Sequence, residues 1–156
     1  MPFVFFHSRF PEIAHRETRS ITVLSESLAG LPAGDYGFLE MFCDEPGCDC
    51  RRVFFYVVSE RRRDVEAVIA YGWESPKFYA RWMKDDDPKT IADLKGPILN
   101  LGSPQSRLAP AILKLCEKAL LCDRTYMARV KEHYQIFRED VDRKNAGKRS
   151  PKGSPN

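Results

Sequence analysis

"RRVFFYVVSERRRDVEAVIAYGW", residues 51–73, is the stretch from which the fold is read. Successive side chains of an extended chain point to opposite faces. In residues 51–59, Val53, Phe55 and Val57 share one face and Phe54, Tyr56 and Val58 the other. Apolar residues on both faces predict a central strand covered on both sides. The polar run 60–64, ERRRD, reads as a hairpin turn, and 65–73 as the returning strand. The three arginines 61–63 are cations of a solvated turn tip.

Working towards the N-terminus, YGFLEMFC (36–43) and TRSITVL (18–24) have the same extended character, and SESLAGLPAGD (25–35) between them carries Gly/Pro turn signals. The first half therefore predicts a mostly antiparallel sheet. If 18–24 and 36–43 pair through the intervening loop, Leu24 falls beside Tyr36 and position 17 beside Cys43.

The second half changes period. Ser75-Pro76 and Asp87-Pro88 are each an N-cap followed by an N1 proline, and Gly96 is a stop signal. They predict a helix with Phe78 and Trp82 on its inward side, Tyr79 and Met83 being further candidates for it, then a short helix within 85–96. Residues 97–106 fit a short strand or a loop. Two longer helices follow, 107–121 and 124–141, with Asp123 as the N-cap of the second. Met127, Val130, Tyr134, Phe137 and Val141 recur at spacings of three and four, an amphipathic stripe. The fold class is α+β: an antiparallel sheet from the first half packs against helices from the second, which end in a C-terminal helical hairpin.

A chain of 156 residues, 43% hydrophobic and 12% aromatic, suits one globular domain with its own core. Its net charge of +3 is a property of one end. Residues 143–156 hold five cations and no acid, which leaves residues 1–142 at −2. The reading is a single domain, 1–142, and a basic, disordered tail, 143–156. The apolar N-terminus lacks a basic n-region and a cleavage site, and no apolar run reaches the roughly 20 residues of a membrane span. The expected compartment is the cytoplasm. Disulfides are rare there, and five cysteines cannot all pair.

Cys43, Cys48 and Cys50 lie within eight positions, around the tight turn that Pro46-Gly47 implies. Three thiolates at the tip of a hairpin suit zinc, which takes four tetrahedral S or N ligands in structural sites. The register above places His15 and Glu17 at the cysteine end of the sheet. His15 is therefore the expected fourth ligand and His7 the second choice. Cys116 falls among apolar helix residues and reads as core, Cys122 ends a helix, and His133 flanks the apolar stripe as a partly buried surface histidine.

Two function classes stay open. One is a non-catalytic binding or interaction module with a structural zinc site. Its partner would be a protein, or nucleic acid through the basic tail. The other is a metal- or thiol-dependent enzyme built on Cys43, Cys48, Cys50 and His15. Glu17 would serve it as general base, or Cys48 and Cys50 as a redox pair with Arg51 and Arg52 lowering their pKa values. The chain contains no P-loop, G-x-G-x-x-G, G-x-S-x-G or H-E-x-x-H motif.

Overall fold

The computed structural model describes residues 3–25 and 30–148. Six antiparallel strands form one sheet: β1 Phe3–Phe5, β2 Arg19–Val23, β3 Gly34–Cys43, β4 Arg52–Ser59, β5 Arg62–Gly72 and β6 Ile98–Leu99. Their order is β1-β3-β4-β5-β6, with β2 also paired to β3. Six helices complete the described chain: α1 Phe6–Arg9, α2 Pro11–Glu17, α3 Pro76–Met83, α4 Pro88–Lys95, α5 Ala109–Ala119 and α6 Arg124–Lys148.

β4 lies between β3 and β5, the central position its two-sided apolar pattern implies. Val53, Phe55 and Val57 face the main core and are fully buried. They meet Phe38 and Phe42 of β3, Ile112 and Cys116 of α5, and the stripe Val130, Tyr134, Phe137 and Val141 of α6. Burying each large side chain is worth about 1.5–3 kcal/mol, so this face supplies most of the driving force. The opposite face is covered in part. Phe54, Tyr56 and Val58 are half-buried, and Phe3 stacks on Phe54 at 3.8 Å. At the far end of that face α3 lays Tyr79 over Gly72, where a Cβ would collide with the tyrosine ring.

The helix signals act as read. Ser75 Oγ accepts a hydrogen bond from Phe78 N at 3.2 Å, Asp87 Oδ2 from Thr90 N at 3.0 Å, and Asp123 Oδ1 from Tyr126 N at 3.0 Å. Each satisfies an amide that the first helical turn leaves without an intrahelical partner. Gly96 ends α4 with a positive φ of 61°. Of the ambiguous run 97–106, only two residues join the sheet, paired to Ile69 and Ala70.

Three expectations need correction. The turn after β4 is Glu60-Arg61, and β5 begins at Arg62, because register shifts around Val58 and Ser59 absorb the extra residues. The last helix does not stop near Val141. It runs to Lys148, because Ala146 and the cations between 143 and 148 are good helix formers continuing an already nucleated helix. The remainder of the expected tail, 149–156, lies outside the described residues, as do residues 26–29 of the loop before β3.

The third concerns the N-terminus. The observed register pairs Arg19 with Phe38 and Val23 with Gly34, three residues from the expected one. β1 and β2 share the same edge of β3, and α1 and α2 loop out between them. Phe3, not position 17, sits beside Cys43. No helix of the described residues is long and apolar enough to cross a membrane.

Candidate metal centre

The connection between β3 and β4 is built around two left-handed residues. Glu45-Pro46-Gly47-Cys48 is a tight turn closed by Cys48 N donating to Glu45 O at 3.2 Å, with Gly47 at φ 72°. Pro before Gly is the composition such a turn requires. The second is Arg51, at φ 49°. A non-glycine residue pays for this conformation and keeps it only where its surroundings hold it. Here Arg51 N donates to Tyr134 Oη at 3.0 Å, and Arg51 O accepts from Tyr79 Oη at 2.9 Å. Its guanidinium grips Asp49 through two bonds and lies 4.7 Å over Phe78. The reversal at Arg51 leaves Cys50 turned back towards Cys43 while Arg52 enters β4.

As a result the thiols of Cys43, Cys48 and Cys50 all lie within 4.8 Å of one another, a group that could hold a metal ion. Cys43 and Cys50 are each 1% exposed and Cys48 is half-buried. All five cysteines are free thiols. α6 clamps the loop from one side. Arg138 Nη1 donates to Cys43 O at 2.6 Å and Nη2 to Glu45 O at 2.7 Å, and Asp142 Oδ1 accepts from Gly47 N at 3.2 Å.

The three sulfurs are not equivalent. The thiol of Cys50 donates towards Cys43, and this bond, with Glu45 N–H, Cys48 and the charge of Arg138, outweighs burial and lowers Cys43 to about 6. The same bond and burial push Cys50 well above its ordinary value. Burial and the neighbouring Cys43 charge push Cys48 up. Cys43 is therefore the sulfur that gives up its proton most readily, and Cys48 and Cys50 hold theirs more tightly. The charge of Arg138 favours the Cys43 thiolate, and Arg52 also feels the charges of the three sulfurs. Arg51 instead pairs with Asp49 and, at 3.5 Å, with Glu74.

His15 and Glu17 are not brought into this group. His15 is exposed in the last turn of α2, and Glu17 pairs with Arg129 at 3.3 Å and His133 at 3.4 Å. The cause is the register: the edge beside Cys43 is occupied by β1, so the expected convergence at that end of the sheet does not occur. His7 is exposed and stacks on Phe5 at 4.8 Å. Cys116 is fully buried, as its apolar neighbours imply, and burial pushes its thiol up to about 12. Cys122 is exposed.

His133 is not a surface histidine. It is 1% exposed, stacked on Phe6 at 4.4 Å, with Nδ1 2.8 Å from Glu40 Oε1. Glu40 is itself buried and accepts from Tyr126 Oη at 3.1 Å. Strand parity carries the signal for this pair, since Glu40 shares a face with Tyr36, Phe38 and Phe42. A carboxylate there needs a buried partner. With Phe6 over the ring, the pair is a structural tie between β3 and α6.

No protein family model matches this chain, and comparison with characterised proteins and with solved structures finds no match to either.

Proposed function

We propose that this protein binds one zinc ion through Cys43, Cys48 and Cys50, and that it works as a binding module, the metal serving to hold the β3–β4 connection. The convergence of three thiols, two of them buried, is the observation that carries the reading. Zinc–sulfur bonds of about 2.3 Å place tetrahedral ligand sulfurs about 3.8 Å apart, so the group needs to contract by no more than about an ångström. A thiolate set is soft, which favours zinc or copper(I) over calcium or magnesium. The loop around the sulfurs is polar, with Asp44, Glu45 and Asp49, and an ion would add a further tie to those from Arg138 and Asp142. The fourth ligand is a water or a donor from a partner.

A structural role fits the surroundings better than catalysis. Glu17, the base the enzymatic alternative requires, is engaged with Arg129 and His133. The module's partner is a protein or, through the basic C-terminus, a polyanion. Affinity that falls steeply with salt identifies the polyanion, and salt-indifferent binding excludes it.

The test is metal analysis of the purified, untagged chain with a parallel thiol titration. About one zinc per chain, released when thiols are modified, is the expected result. Metal-free protein with three unmodified, unreactive thiols refutes the reading. Metal-free protein that loses two hydrogens under mild oxidant supports a Cys48–Cys50 redox pair in its place.

A further inference from the structure

The face of the sheet away from the main core carries a second feature. Arg52 is 5% exposed, yet among the described residues no carboxylate pairs with it. Its only hydrogen bond there runs from Nε to Leu94 O at 2.9 Å, and its guanidinium lies 5.3 Å from the Phe54 ring centre. Among the described residues Arg138, also buried, is treated differently: two carbonyls accept from it and Asp142 pairs with it at 3.5 Å. The outer nitrogens of Arg52 make no hydrogen bond among the described residues and are not sealed off, so they open to solvent through a cavity where an anion can reach them.

Arg52 lines this cavity of about 390 Å³ between β5, β6 and α4. Its walls are mainly apolar, from Ala70, Leu94, Ile98, Leu99 and Leu101. Thr90 and Asn100 add hydrogen-bonding groups, and Asp93 adds one acid. Small-molecule sites share this plan of apolar walls and a few convergent polar groups.

We infer that this cavity is a binding site for a small organic monocarboxylate with an apolar body, its carboxylate paired with the Arg52 guanidinium. Guanidinium and carboxylate match in a planar, two-point contact. One cation in the lining, offset by Asp93, suits a single negative charge and disfavours a phosphate dianion. The volume suits a ring or a short aliphatic chain. The cavity lies apart from the three sulfurs, but Arg52 feels their charge, so both metal states are compared.

The test uses the full chain, metal-loaded and metal-free, with two matched probe pairs: benzoate against benzamide, and hexanoate against hexanamide. Each pair differs only in the charged group. Binding is followed by thermal shift and by amide chemical-shift mapping. At least one acid should bind about tenfold or more tightly than its amide, with shifts at Thr90 and Asn100, in both metal states. Arg52→Met should fold and lose the preference for the acid, and Arg52→Lys should keep part of it. Equal binding of acid and amide in both pairs overturns the inference. So does no binding at millimolar concentration, or acid binding unchanged in Arg52→Met. Shifts confined to the Cys48 loop and seen only with metal would assign the carboxylate to the metal, and would also overturn it. Should Arg52→Met not fold, the wild-type comparison and its shift map decide the matter alone.

Discussion

Replacing Glu40 by glutamine removes the charge that faces His133 while keeping the side chain's shape. Burial alone would hold the His133 imidazole neutral, but the Glu40 carboxylate at 2.8 Å and Glu17 at 3.4 Å outweigh it and raise its pKa above the ordinary 6.5. A group whose pKa is raised by folding contributes stability that is fully present below its unfolded value and is lost as pH rises through the folded one. The pair's contribution is therefore complete below the ordinary 6.5 and fades as pH rises through the raised value. Removing one partner of a buried ion pair costs about 3–5 kcal/mol. Glutamine still offers an oxygen to Tyr126 Oη, so the lower end, about 3 kcal/mol, is expected near pH 6. For a domain of this size that lowers Tm by about 6–12 °C. Urea unfolding of both proteins near pH 6 and near pH 9 measures it, and the cost should shrink at the higher pH as His133 loses its proton. Replacing the whole network with Glu40→Leu, His133→Leu and Tyr126→Phe should cost less than Glu40→Gln alone, because no polar group is left stranded. A cost for Glu40→Gln below about 0.5 kcal/mol, or one equal at both pH values, would refute the reasoning.

Three further outcomes are expected. Arg138→Met removes two donors from the carbonyls of Cys43 and Glu45; it should cost about 1.5–3 kcal/mol in denaturant titration and weaken zinc affinity measured by chelator competition. Gly72→Ala drives a Cβ into the Tyr79 ring; a loss of about 1–3 kcal/mol is expected, and Tyr79→Leu added to it should recover part of that in the same unfolding assay. Zinc uptake near neutral pH should release about two protons, not three, because the Cys43 thiol is lowered to about 6 while Cys48 and Cys50 are pushed up. Calorimetry in buffers of differing ionisation enthalpy counts them.

The pairs of residues that act locally were legible without a structure. Alternation in 51–59 marks β4 as central because a strand's two faces are sampled by adjacent residues. Ser75-Pro76, Asp87-Pro88 and Gly96 mark helix ends because capping bonds span three or four positions. The stripe from Met127 to Val141 lies inward because the helical repeat puts those residues on one side. The three cysteines of the β3–β4 connection converge because Pro46-Gly47 folds eight residues back on themselves.

What required the tertiary structure were the relations between distant segments. The expected place of His15 rested on a strand register that the loop before β3 does not determine. A three-residue difference, and a β1 that occupies the vacant edge of β3, move Glu17 to Arg129 and His133 and leave His15 in solvent. Glu40 and His133 are 93 residues apart, Arg138 and Cys43 are 95, and Arg52 and Leu94 are 42. Each polar member sits at a position where local pattern asks for an apolar residue or allows any. Local sequence determines which way a side chain points from its own backbone. Only the packing of one element on another decides what charge or hydrogen-bonding group it meets there.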